Sequence, residues 1–189
     1  MLPSTLFYII VSVLVVNFLI DKILDFLNAE HFYNAVPKEL SDVYDIEEYQ
    51  KSQSYKKTNY RFGILTSLFS VLLTLCFFFF NGFSLVDNLA RSYTNNPILV
   101  ALIFFGIIII GSDIISTPFS FYKTFVIEEK FGFNKCSKTT FFLDKLKGLL
   151  MSIIIGGFIL SIIIWFYLFV GNKFWLFAWG LVTVFTLFM

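Results

Sequence analysis

The sequence predicts an all-α membrane protein, a polytopic bundle with five transmembrane helices, and three observations support that. The 189 residues are 58% hydrophobic and only 14% charged, with a mean hydropathy of +0.81, whereas soluble domains carry about 25% charged residues. Apolar runs of membrane-spanning length recur along the chain. The cations gather between those runs in two segments. The same arithmetic excludes other classes. Fourteen Lys and Arg against 13 Asp and Glu leave no basic face for nucleic acid. Cys76 and Cys136 lack C-x-x-C spacing, so they build neither a disulfide framework nor a cysteine-based zinc site. A single histidine, His31, excludes any site that needs two imidazoles.

Five spans are expected, at 2–27, 62–83, 97–117, 149–170 and 174–189. The first opens with Leu2 to Ile20, broken only by Asn17, and continues amphipathically past Asp21, Lys22 and Asp25. It has no cationic leader and no small-residue cleavage site, so it reads as a retained helix and not a signal peptide. The second is followed by a turn region around Asn81, Gly82 and Asn88. The third enters at Pro97, which suits a first helical position, and ends near Pro118. The fourth is uncharged throughout. The fifth has 16 residues, which would rise about 24 Å against a hydrocarbon core of about 30 Å. It would also leave a carboxylate at membrane depth. The expectation is therefore that residues 1–189 form a single N-terminal transmembrane domain, its last helix truncated, of a longer protein.

Lys and Arg favour the cytoplasmic side in short loops. Six lie between Asp21 and Arg61 and six between Thr117 and Gly148, while Arg91 and Lys173 sit on the other side. This predicts an outside N-terminus and two cytoplasmic loops, 28–61 and 118–148. The first loop turns at Pro37. It then offers Asp45-Ile46-Glu47-Glu48, an N-cap with an acid three residues on, and no breaker follows before the second span. One long helix is expected there, carrying Tyr49, Gln53, Tyr55 and Tyr60 above the surface. In the second loop Gly132 and Asn134 mark a turn and Ser137 caps a following helix. That helix aligns Phe142, Leu146 and Leu149 or Leu150 on one face, as an amphipathic reentry into the fourth span.

The second loop also carries a resemblance. Phe-Val-Ile-Glu-Glu-Lys-Phe-Gly-Phe-Asn-Lys at Phe125 to Lys135 and Phe-Phe-Leu-Asp-Lys-Leu-Lys-Gly at Phe141 to Gly148 resemble the type I CAAX prenyl proteases, integral membrane zinc metalloproteases. Tyr49 to Tyr55 and Arg61-Phe62-Gly63 resemble the segment leading into that family's second helix. Specificity concentrates in the signature loop of Glu128, Glu129, Gly132, Phe133, Asn134 and Lys135. The resemblance implies seven membrane helices around a large chamber, a zinc site made by an H-E-x-x-H helix plus a downstream Glu, and cleavage near the C-terminus of a protein or peptide substrate. This chain contains no H-E-x-x-H. No catalytic, cofactor-binding or metal residue is expected in it, zinc is implied only for the full-length protein, and the expected partners are the lipid bilayer and the missing C-terminal catalytic part.

The residues argue against other chemistry. Asp113, close to the end of a span, is an intramembrane carboxylate, but Gly111-Ser112-Asp113 is not G-x-G-D and only Asp21 could partner it in an aspartyl dyad. A carboxylate near the interface, hydrogen-bonded or paired with a loop lysine, is the expectation. Glu128-Glu129 fits the glutamate-based E-E-x-x-x-R pattern poorly, since Phe133 stands where Arg is needed. His31 is expected as an interfacial side chain. Ser152-x-x-x-Gly156 and Gly157-x-x-x-Ser161 have helix-contact spacing. Two functions remain: the membrane-embedded N-terminal portion of a zinc metalloendopeptidase, helping form the chamber around a downstream active site, or a non-catalytic membrane scaffold or binding module. A transporter half is weaker, because no span is interrupted by mid-helix charges or a Gly-Pro break.

Overall fold

The structure, a computed structural model, describes residues 3–30 and 45–188. Pro37, His31 and Met189 lie outside the described residues. Those described are helical, with no strand among them. In hydrocarbon each unpaired backbone N–H or C=O costs several kcal/mol, so an apolar chain of this composition satisfies its backbone within helices. Helix α1 is Pro3–Ala29, α2 is Ile46–Phe79 and α3 is Gly82–Tyr93. Helix α4 runs over Pro97–Phe131. Helix α5 comprises Lys138–Met151, Ser152–Gly156 and Gly157–Val170, and α6 is Phe174–Phe188. The protein is an integral, multi-pass membrane protein, with four helical stretches long and apolar enough to cross a bilayer. The last of these, Lys138–Phe188, folds at Gly171–Lys173 into α5 and α6.

The contacts divide into two compact units. The first holds α1, α2 and the second half of α4 with its following turn, to residue 135. Helix α2 is the long helix expected from Asp45: the Asp45 carboxylate accepts the Glu47 N–H at 2.8 Å, and 34 residues follow without a break. At 1.5 Å per residue that is about 51 Å, far more than the bilayer requires. Helices α1 and α2 run antiparallel, with the Phe7 ring 6.1 Å from Phe78 and 5.6 Å from Phe79. Helix α4 is also antiparallel to α2, with Phe119 against Phe69 at 5.0 Å and Tyr122 stacked on Phe62 at 5.3 Å.

The second unit holds α3, the first half of α4, α5 and α6. Asn96 caps α4 through Oδ1, which accepts the Ile98 N–H at 2.9 Å, and Pro97 occupies the first helical position as expected. Helices α4 and α5 are antiparallel, as are α5 and α6, where Phe174 lies 5.9 Å from Phe166 and 5.4 Å from Tyr167. Apart from Val86, Ala90, Val100, Ile127 and Phe131, the large apolar side chains described stay exposed or half-buried. Acyl chains solvate such side chains as well as a protein core would.

Three expectations are revised. The second span stops at Phe79, and the turn is confined to Phe80 and Asn81, the latter at φ 55°. Asn88 is not in a turn: it belongs to α3, where Asp87 accepts from Arg91 at 2.8 Å in an i,i+4 ion pair that supports a short helix. Asp87, by that hydrogen bond and by its charge, raises the Arg91 pKa. The third span does not end near Pro118, which lies inside α4. Proline removes one N–H from the ladder, yet the helix passes through it, and a wide π turn over Lys123–Glu128 carries the helix on to Phe131. Aromatic packing on α2 holds it there, and membrane helices tolerate proline on these terms. The interval 118–148 is therefore mostly helical, with 132–137 alone non-helical, because α5 begins at Lys138 on the Ser137 cap, whose Oγ accepts the Thr140 N–H at 3.1 Å.

Asp45→Ala should fray the start of α2. Amide exchange at Glu47 and Glu48 is expected to rise about fivefold, from a cap worth about 1 kcal/mol, with Asp45→Asn near wild type; unchanged exchange in Asp45→Ala would show that the cap contributes nothing.

Candidate functional site: the signature turn on the α2 extension

The signature residues form the end of α4 and the turn that follows. Glu128 closes the π turn and Glu129 opens the last turn. Gly132 takes φ +77°, a left-handed conformation that glycine adopts with little cost. Its N–H donates to the Glu129 carbonyl at 3.0 Å and the Phe133 N–H to the Glu128 carbonyl at 2.8 Å, the paired bonds of a Schellman helix end. The Asn134 amide nitrogen donates to Glu129 Oε2 at 2.7 Å, which ties the turn to the carboxylate of the helix it leaves. Lys135 follows as an exposed residue. The paired glutamates are thus used, Glu128 through its backbone and Glu129 through both backbone and side chain, to end a helix.

This turn docks on α2. The Tyr55 ring sits between Phe131 at 5.3 Å and Phe133 at 4.9 Å, both edge-to-face, the arrangement aromatic quadrupoles favour. Lys51 Nζ lies 5.6 Å over the Phe133 ring, a cation–π contact. Ile127 and Phe131 are buried beneath. Tyr55 was singled out in the sequence as a surface aromatic of the extension, but its role as the turn's receptor was not. The turn glycine and the Tyr55, Lys51 spacing of one helical turn were the available signals, and nothing local joins them.

In the second unit, Asp113 Oδ1 accepts from Lys145 Nζ at 2.7 Å, with side-chain exposures of 39% and 23%. This is the pairing with a loop lysine that the sequence suggested, though the lysine lies on a helix. Below it, Ser152, Gly156, Gly157 and Ser161 line a groove of about 400 Å³ opposite Leu102, Phe105 and Gly106. The small residues of α5 therefore face α4, as their spacing suggested, but across a groove. Leu102 reaches across to Gly157: a Cβ placed there would meet its Cδ2 at 3.8 Å.

The fold and site define a polytopic helical membrane domain whose second and fourth helices continue past the membrane-spanning length and lock together through one glycine-ended turn. The family described as CAAX prenyl protease N-terminal, five membrane helices, matches residues 26–189, and the chain belongs to it. A relative from Dictyostelium discoideum, CAAX prenyl protease 1 homolog, is 33% identical over 91% of this chain and 45% of its own length. The Schizosaccharomyces pombe protein, probable CAAX prenyl protease 1, is 33% identical over 80% of this chain and 35% of its own. Among solved structures, the crystal structure of S. mikatae Ste24p aligns with 98% of this chain and 44% of that one, at TM-score 0.87 and 25% identity. The chain thus spans less than half the length of these relatives. Among the described residues no three His, Cys, Asp or Glu side chains converge to hold a metal ion, so those residues do not fit a zinc site.

Two outcomes test this geometry. Gly132→Ala has room for its Cβ, whose nearest neighbour would be Lys51 Nζ at 3.9 Å, so the expected loss is conformational, about 1 kcal/mol, and Gly132→Asn should lose less; equal melting temperatures for all three in detergent would contradict a required left-handed turn. For the ion pair, a double-mutant cycle over Asp113→Asn and Lys145→Met should return a coupling of about 1 kcal/mol, between the exposed and buried ranges. A coupling of zero would mean the pair adds nothing to the packing of α4 and α5.

Proposed function

We propose that this chain is the membrane-embedded part of a zinc metalloendopeptidase that cleaves near the C-terminus of a protein or peptide target, with residues 1–189 acting as one membrane domain that forms part of a helical chamber. The observation that carries this is the alignment of nearly the whole chain with Ste24p, supported by the family match. In this reading the described residues do no bond-breaking chemistry. The signature residues Glu128, Glu129, Gly132, Phe133, Asn134 and Lys135 are positioning residues, which hold the end of α4 against the α2 extension and so set where the chain next enters the membrane. Zinc and its ligands belong to protein outside this chain, and no step of the reaction is assigned to groups within it. The twelve-to-two cation asymmetry supports loops 28–61 and 118–148 facing the cytoplasm and an outside N-terminus.

A chimera tests this: residues 1–189 joined to the remainder of the Dictyostelium relative, purified in detergent and assayed on a farnesylated C-terminal peptide. The chimera should bind one zinc per chain by elemental analysis and release the terminal tripeptide, while residues 1–189 alone should do neither. Zinc bound tightly to residues 1–189 alone would overturn the assignment, and a folded, zinc-loaded chimera without cleavage would favour a scaffold role.

A further inference from the structure

Among the described residues, α3 is the helix whose length and charge forbid it to cross a bilayer and whose faces divide three ways. Its 12 residues would span about 18 Å, and it carries the Asp87 and Arg91 pair. At 100° per residue, Val86 and Ala90 fall on one face and are buried. Ser84, Asp87, Asn88 and Arg91 fall on another, where Asp87 and Arg91 line a small recess with Pro97, Val100 and Phe104 of α4. Leu85, Leu89 and Tyr93 form a third stripe, and they are 66%, 47% and 74% exposed.

Chain connectivity limits where that stripe can be. Helix α2 ends at Phe79 and α4 begins at Pro97, and both are membrane-spanning. Two residues, 80 and 81, join α3 to the first and three, 94–96, join it to the second. Three extended residues reach only about 10 Å. Both ends of α3 are therefore tethered at the bilayer boundary, and Phe80 in the connecting turn is itself 76% exposed. A stripe of this kind facing bulk water would be unfavourable, whereas phospholipid at the level of the tethers is continuous with the lipid around α2 and α4.

We propose that α3 is an in-plane membrane anchor: Leu85, Leu89 and Tyr93 seat in phospholipid at the boundary between headgroups and acyl chains, with Ser84 and Asn88 toward water and the Asp87–Arg91 pair beside the first turns of α4. An apolar face of this type lies about 5–10 Å into that boundary. The anchor sets the depth at which the chain turns back into the membrane at the start of α4.

The test uses the protein in phosphatidylcholine nanodiscs. Nitroxide labels are placed through Leu85→Cys, Leu89→Cys or Asn88→Cys, exposed positions, with Cys76→Ser and Cys136→Ser as background. Power saturation compares dissolved oxygen with a water-soluble nickel chelate. Labels at 85 and 89 should favour oxygen several-fold over the chelate, and the label at 88 should show the reverse order. A label at 89 as open to the chelate as that at 88 would overturn the proposal by placing the stripe in water. A label at 89 that is immobilised and shielded from both agents would overturn it by showing that protein covers the stripe.

Discussion

Backbone hydrogen bonding in hydrocarbon is the constraint on which the rest of this structure depends. An N–H or C=O that enters the membrane must find its partner in the same segment, since lipid provides none. Once started by Asp45, Asn96 or Ser137, a helix here continues until a residue supplies a specific way to stop. Asn81, Gly132 and Gly171 do so with positive φ. Absent such a residue the helix runs on, which is why α2 extends past the membrane-spanning length and why Pro118 does not end α4. The π turns at Lys123–Glu128 and Ser152–Gly156 are local adjustments within that rule, and turns of this kind are frequent at functional sites.

The second constraint concerns what holds helices to one another. Burial of Leu or Ile gains little when the alternative is an acyl chain, and few apolar side chains here are buried. Contacts with direction carry the specificity instead. Rings meet at Phe7 with Phe78, at Phe62 with Tyr122, and at Tyr55 with Phe131 and Phe133. Asp113 and Lys145 supply a charged contact between α4 and α5. Such contacts choose a register as well as a partner, because a shift of one residue along either helix removes them.

Family membership gives these contacts a context. The chain matches less than half the length of its relatives, and the described residues assemble no metal-binding cluster. The turn from Glu128 to Lys135 is a piece of helix-ending chemistry: a Schellman turn, a carboxylate-to-amide hydrogen bond and an aromatic receptor one helix away. Its value is positional, since a long helix clamped at its end holds the start of the next helix in place.

Much of this was legible in the sequence. Apolar runs announced the spans, and Asp45, Pro97 and Ser137 announced helix starts, because caps act over three or four residues and their chemistry is local. Gly132 and Asn134 announced a turn for the same reason. The Asp113 carboxylate called for a partner near the interface, but which of the loop lysines would meet it depended on the pairing of α4 with α5. Likewise Tyr55 reads as a surface aromatic until α4 is brought antiparallel to α2. Helix α3 was hidden by its Asn and Gly neighbours and became visible only with Val86 and Ala90 packed away and Arg91 turned onto Asp87. Sequence by itself determined the class of fold and most helix ends, since backbone satisfaction and capping are short-range. Tertiary structure alone decided the length of α4 and the partners of Tyr55 and Asp113, since those follow from contacts between helices far apart in the chain.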